Sequence, residues 1–205
     1  MPDIVDGIRR FQARRQENPE LFDRLAKDGQ SPEVLFVGCS DSRVPPEVIT
    51  DAEPGVLFVT RNVANIVPPY GTGEQGTGAV IEYAIRHLRV KRVIICGHTD
   101  CGGIKALSAQ LDWNRDPHII RWIEHARPAR TRIEASNLPA EEQHLATVRE
   151  NVLLQLENLR SYDPVREAER AGALELVGWV YHLDTGSVEA YDPPTGGWAP
   201  LIAGQ

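Results

Sequence analysis

Residues 34–43, Val34-Leu35-Phe36-Val37-Gly38-Cys39-Ser40-Asp41-Ser42-Arg43, decide the fold. The opening run is apolar on both alternating faces, the pattern of a strand buried inside a parallel sheet, and the turn formers Asp28, Gly29, Ser31 and Pro32 lead into it. Its carboxyl end turns polar and reactive at Cys39, where open α/β sheets gather their ligands. Similar runs follow at Val56-Leu57-Phe58-Val59-Thr60, after the break at Pro54-Gly55, and from Val90 to Cys96, ending at Gly97. Between them, the stretch Gly76 to Leu88 spaces Val80, Ala84 and Leu88 four apart, as on one helix face. Further helices are predicted from Ile104 to Leu111, from Pro117 to Ala126 and from Glu141 to Leu159, where Leu145, Val148, Val152, Leu156 and Leu159 keep the 3.6-residue period. Strands from Leu174 to Leu183 and from Ser187 to Tyr191 flank the hairpin signal Asp184-Thr185-Gly186. The expected fold class is α/β: a mostly parallel central sheet flanked by helices, with an antiparallel edge strand and an N-terminal helical arm. On that arm Ile4, Ile8 and Phe11 form a narrow apolar stripe among Arg9, Arg10, Arg14 and Arg15, and such a stripe must lie on something.

The chain has 205 residues, 41% hydrophobic and 25% charged, enough apolar mass for one ordinary core. A single domain over 1–205 is expected, with the arm at 1–28 and the core at 33–205. Twenty-two Lys+Arg against 29 Asp+Glu leave a net charge of −7, so neither nucleic acid nor an anionic membrane surface is an expected partner. Met1 to Gln12 has no apolar signal segment and no stretch is long enough to span a bilayer, which makes a cytoplasmic location the expectation. Three cysteines are an odd and small number for disulfide stapling, and in a reducing compartment they point to metal binding or catalysis.

If the first and third strands are neighbours, the loops after them bring Cys39, His98 and Cys101 to one point. Two thiolates and an imidazole are a three-ligand zinc set with an open fourth position, the catalytic pattern and not the closed structural one. Asp41 could fill that position. Arg43, two residues on, could instead hold the carboxylate in a bidentate pair, off the metal and aimed at a zinc-bound water. Because thiolates donate more charge than imidazoles, the acidity of that water should be weaker than in an all-imidazole site, and activity should rise towards alkaline pH. Cys96, ending an apolar run, is read as a core residue, and Asp100 as a cap for a helix starting near Gly102. His87, His118, His125, His144 and His182 have no ligand spacing with the main set, and Arg121, Arg127, Arg130 and Arg132 read as a solvated helical face.

Cys39-Ser40-Asp41-Ser42-Arg43-Val44-Pro45, Arg61-Asn62-Val63-Ala64-Asn65 and Gly97-His98-Thr99-Asp100-Cys101-Gly102-Gly103, in this order and spacing, resemble the β-class carbonic anhydrases. The resemblance implies zinc, one per chain, on Cys39, His98 and Cys101, with Asp41 and Arg43 as the dyad whose aspartate accepts a hydrogen bond from zinc-bound hydroxide. The reaction implied is reversible hydration of carbon dioxide to bicarbonate and a proton. Gln30, Phe58, Val63, Tyr83 and Gly102 match substrate-pocket positions and resemble the plant-like subclass. The regulatory bicarbonate-binding subclass has tryptophan where this chain has Phe36, although Gly38 matches that subclass. A homodimer or dimer of dimers is also implied, with the active site at the dimer interface and the N-terminal helix over the partner. Some cyanobacterial relatives carry a long C-terminal extension linked to microcompartment packaging; with Gln205 soon after the last strand, such targeting is not expected here. Carbonyl sulfide or carbon disulfide hydrolysis on the same scaffold, and a non-catalytic zinc-binding sensor, are the rival readings.

Overall fold

The structure, a computed structural model, describes residues 3–202, so the first two residues of the expected arm and Gln205 lie outside the described residues. It divides into a first unit through Ser31 and a second from Pro32. In the first unit, α1 (Ile4–Glu17) begins at Asp3, whose carboxylate accepts the Val5 N–H at 2.8 Å. Helix α2 (Pro19–Asp28) follows at once, its proline placed in the first turn where no N–H is needed. Phe11 meets Phe22 edge-on at 5.8 Å, and the Arg15 guanidinium lies 5.6 Å from the Phe22 ring centre. The rest of the stripe is open, with Ile4 80% and Ile8 52% exposed.

The second unit runs β1 (Val34–Cys39), α3 (Pro46–Ile49), β2 (Leu57–Asn62), α4 (Gln75–Glu82) continuing into a π turn at Tyr83–Leu88, β3 (Arg92–His98), α5 (Gly102–Ala106), α6 (Pro117–Ile123), α7 (Arg127–Glu134), α8 (Ala140–Leu159), α9 (Asp163–Arg170), β4 (Glu175–Tyr181), β5 (Val188–Asp192) and β6 (Gly197–Pro200). The sheet order is β2-β1-β3-β4-β5-β6. Strands β2, β1, β3 and β4 are parallel, while β5 and β6 are antiparallel to their neighbours. The α/β expectation holds, with one more antiparallel strand than the pattern announced, because the short run Trp198-Ala199-Pro200 carries no alternation to mark it. Strands β2 and β3 also end two residues beyond their apolar runs. Backbone pairing sets their ends: Arg61 and Asn62 stand opposite Gly38 and Cys39, and His98 opposite Tyr181. His98 is therefore a strand residue and not a loop residue.

One face of the sheet packs Leu35, Val37, Val93 and Ile95 against Val148, Val152, Leu156 and Leu159, the predicted stripe of α8. The other face holds a smaller cluster of Phe36, Ile94 and Cys96, so Cys96 is a core thiol as expected, and its burial pushes the pKa up to about 12. Helix α8 does more than fill the core. Its buried Asn151 donates to the Ala64 carbonyl at 3.0 Å, Gln155 accepts the Val67 N–H at 2.8 Å and donates to Asn151 Oδ1 at 2.8 Å, and Asn158 donates to the Val67 carbonyl at 2.8 Å. These amides hold the segment after β2, where Ala64 and Asn65 take left-handed φ values of 62° and 47°. Gln155→Leu should leave the Val67 N–H and the Asn151 Oδ1 without a partner in the core. Unfolding free energy is expected to fall by about 1–3 kcal/mol, read as a lower urea midpoint at unchanged slope. A midpoint equal to wild type would remove this network from the stability account.

Candidate active site

Strand register assembles the site. Gly38 of β1 stands opposite Cys96 of β3, so Cys39 and His98 emerge together at the carboxyl ends of adjacent strands. Cys101 follows at the residue that caps α5. The two sulfur atoms and the histidine nitrogen lie within 4.8 Å of one another, and all three residues are buried. Two thiolates on a tetrahedral zinc at about 2.3 Å each would stand roughly 3.8 Å apart, so the set is of the right size. The histidine supplies a sharper test of fit. His98 Nδ1 lies 2.8 Å from the Thr99 carbonyl, to which only an Nδ1–H can donate, and this leaves Nε2 as a bare lone pair. That Nε2 is buried with no hydrogen-bond partner among the described residues, a costly state that a metal ion would relieve. The thiols are also prepared. Their mutual hydrogen bond pulls Cys39 below the ordinary thiol range, against the cost of burial, and pushes Cys101 above it.

Asp41 faces this set, with Oδ2 at 3.9 Å from His98 Nε2. Arg43 grips it through two side-chain bonds, Nε to Oδ1 at 2.9 Å and Nη2 to Oδ2 at 2.8 Å, and its backbone N–H adds a third to Oδ1 at 3.0 Å. The guanidinium hydrogen bonds hold the Asp41 carboxyl well below the usual carboxylate range, outweighing its partial burial. Arg61, quoted above only as part of a motif, clamps the backbone of the same loop: it donates to the Cys39 carbonyl at 2.8 Å and to the Asp41 carbonyl at 2.5 Å. The loop after β3 is fixed from β4, with the Thr99 N–H on the Tyr181 carbonyl at 3.0 Å and the Leu183 N–H on Thr99 Oγ1 at 3.0 Å.

Asp100 corrects an expectation. It caps nothing: the N-cap position of α5 is Cys101, and the Asp100 carboxylate instead takes Arg43 Nη1 at 3.0 Å and the Lys105 ammonium. The cap position is the residue immediately before the helix; Asp100 stands one residue earlier, and its carboxylate reaches the side chains of Arg43 and Lys105.

The pocket residues divide. Val63 lines a cleft of about 690 Å³ with Ser40, Asn62, Ile119 and Trp122, and its carbonyl accepts Trp122 Nε1–H at 2.8 Å. Gly102, the first residue of α5, is exposed beside Cys101. The next residue must be glycine, since a Cβ at Gly103 would come within 2.7 Å of Val63 Cγ1 and 2.9 Å of Ala64 Cβ, and this close approach seats α5 on the Val63 turn. Phe58 and Tyr83 meet each other at 5.8 Å, but Phe58 is level with Leu35, four residues or about 13 Å before Cys39. The structure does not bring them to the ligands of their own chain. Gln30 is an exposed residue after α2, in the first unit. Among the remaining histidines, His87 stacks on Tyr83 at 5.2 Å, His125 packs edge-on against Trp122 at 6.1 Å and His182 lies 3.6 Å from Glu189. Arg127 and Arg132 pair with Glu124 and the Glu150/Glu157 pair on the solvated face expected of them, whereas Arg130, paired with Glu134, is only 20% exposed and Arg121 lines the cleft beside Trp122.

Comparison with known proteins agrees with this geometry. A family model described as carbonic anhydrase matches residues 34–188. A carbonic anhydrase of Pseudomonas aeruginosa is 44% identical over 196 residues, 94% of this chain and 88% of that one. Carbonic anhydrase 1 of Escherichia coli O157:H7 is 44% identical over 207 residues, 99% of this chain and 93% of its own. Among solved structures, the β-carbonic anhydrase CcaA superposes with a TM-score of 0.90 at 36% identity, covering 98% of this chain and 91% of that one. A tetrameric β-carbonic anhydrase of Sordaria macrospora gives a TM-score of 0.80 at 30% identity, covering 96% of each chain. With the family model covering most of the chain and relatives matched over nearly all of it, the chain belongs to the β-class carbonic anhydrases.

Proposed function

We propose that this chain catalyses the reversible hydration of carbon dioxide to bicarbonate and a proton, with one zinc ion held by Cys39, His98 and Cys101. The observation that carries this reading is the convergence of three buried ligands beneath a carboxylate that is held off them by an arginine. Bound there, zinc would act as a Lewis acid and make water in its open position more acidic, less so than in an all-imidazole set because two thiolates feed it charge. Everything else falls to the chain. Asp41, kept ionised by Arg43, offers Oδ2 as a hydrogen-bond acceptor on the open side of the ligands, where it orients the attacking oxygen and excludes a misdirected one. Arg43 stops Asp41 from becoming a fourth ligand. The cleft lined by Val63, Ile119 and Trp122, with Glu74, His118 and Arg121 also on its wall, includes Ser40, the residue after Cys39, and in this reading would be the approach for carbon dioxide.

Phe58, about 13 Å along the sheet from its own Cys39, and with it Gln30 and Tyr83, would act in this reading from a second copy. The exposed stripe of Ile4 and Ile8 gives the N-terminal arm a surface to lay on that copy, within a homodimer or dimer of dimers. Phe36 supports the plant-like subclass: its ring is fully buried, edge-on to Trp179, and fills the space over Gly38, where a Cβ would lie 2.9 Å from it. The three free cysteines suit the reducing cytoplasm.

Stopped-flow carbon dioxide hydration on zinc-quantified protein tests the reading. Turnover is expected to rise across pH 6.5 to 9 and to vanish when a chelator strips the metal. Zinc-loaded protein inactive at every pH would overturn it and direct the assay to carbonyl sulfide and carbon disulfide.

A further inference from the structure

Arg43 is engaged on all three of its guanidinium nitrogens. Nε and Nη2 serve Asp41, and Nη1 donates to Asp100 Oδ2 at 3.0 Å. Asp100 sits between the ligands His98 and Cys101 with a left-handed φ of 61°, a conformation that aspartate tolerates better than most residues. Its other oxygen takes Lys105 of α5. The contact thus ties the loop after β1 to the loop after β3, which continue the strands that end in Cys39 and His98 and, in the second case, hold Cys101.

Resting on the site reading given above, we propose that Asp100 is a positioning residue that sets the orientation of the Asp41–Arg43 dyad. An exposed ion pair counts for little by itself, and Asp100 and Arg43 are about half exposed, at 51% and 49%. What this pair fixes is a rotamer. With Nη1 anchored across the loops, the long Arg43 side chain has one geometry, and that geometry presents Nε and Nη2 to Asp41. Without the anchor, Arg43 and Asp41 are free to move as a unit. Asp41 Oδ2, already 3.9 Å from His98 Nε2, then has a short path to the ligand set. Asp100 keeps that path closed by geometry, through a residue that touches neither metal nor substrate.

The test compares Asp100→Ala, Asp100→Gly and Asp100→Asn, with Lys105→Met as control. Asp100→Ala and Asp100→Gly are expected to lose about tenfold in kcat, the lower end of what supporting contacts around a metal site cost, with KM within about twofold. Asp100→Asn keeps an oxygen for Nη1 and should recover most of that loss. Lys105→Met leaves the Arg43 contact and should match wild type. A second readout does not depend on turnover: in the cobalt(II)-substituted proteins, the d–d bands of Asp100→Ala and Asp100→Gly should shift as Asp41 approaches the metal, while those of Asp100→Asn should not. Wild-type kcat and an unshifted spectrum in Asp100→Ala would overturn the proposal. So would recovery in Asp100→Gly, which would trace the defect to the left-handed backbone, or loss of metal in Asp100→Ala, which would make Asp100 part of the binding loop. If wild type itself fails to hydrate carbon dioxide, the site reading falls, and the cobalt spectra still decide whether Asp100 orients the dyad.

Discussion

Asp41→Asn is expected to keep one zinc per chain and to lose carbon dioxide hydration by about a hundredfold or more, the lower bound for removing a well-placed acid–base group. The amide is the same size, and Asp41 is not one of the three converging ligands, so metal content should be unchanged. What changes is the chemistry of the two oxygens. Arg43 donates to both, at 2.9 and 2.8 Å, and an amide offers only one acceptor to that fork. Whichever way the amide turns, either an N–H faces the guanidinium or an N–H replaces the acceptor that faces the ligands. The sign of the pH effect follows from the same contacts. The Asp41 pKa is depressed in the folded protein, so its ion pair contributes above the ordinary carboxylate range and is lost only as pH falls through the lower folded value. Between pH 6.5 and 9 Asp41 is therefore ionised throughout, and the alkaline rise of the wild type does not come from it. Elemental analysis beside stopped-flow rates makes the comparison. A zinc-loaded Asp41→Asn with wild-type turnover would remove Asp41 from the mechanism.

The parallel sheet was legible because burial on both faces writes itself as an unbroken apolar run, as in Val34-Leu35-Phe36-Val37. The ends of β2 and β3 were not, since Arg61, Asn62 and His98 are held in the sheet by backbone pairing that hydropathy does not see. The length of α8 was readable from its stripe, but its second role was hidden. Asn151 and Gln155 read as ordinary polar positions in an amphipathic helix, yet they are 1% and 0% exposed and serve the backbone of a segment nearly ninety residues away.

The site divides along the same line. Cys39, His98 and Cys101 lie close to strand ends that the pattern located, and Asp41 with Arg43 is a local pair, so both were within reach of spacing arguments. Asp100 was misassigned because its neighbours in sequence pointed to a cap, while its carboxylate answers to Arg43 on another loop. Phe58 and Tyr83 show the opposite case. Their mutual contact is real, but strand register sets Phe58 at the far end of β2 from Cys39, which a list of pocket positions cannot reveal.

Cys101→Ala is expected to abolish stoichiometric zinc binding and to bring hydration to the buffer background while leaving the sheet folded. The asymmetry follows from where the ligands sit. Cys39 and His98 end strands whose cores are packed by Leu35, Val37, Val93 and Ile95 with α8, and Asn151, Gln155 and Asn158 satisfy the adjoining segment without a metal. The site is thus built by the fold, and zinc binding adds to a structure already formed. Two ligands then remain, too few for a stable tetrahedral site. The stability effect should appear as linkage. Free zinc at a thousandfold excess over Kd stabilises the wild type by about 4 kcal/mol, which for a chain of this size raises Tm by roughly 8–16 °C. Cys101→Ala should show no such rise and should melt with metal-free wild type. Retention of one zinc in the variant would place the third ligand elsewhere. Loss of the sheet signal in circular dichroism would mean that metal is required to close the loops after β1 and β3, and the order of events argued here, fold before metal, would have to be reversed.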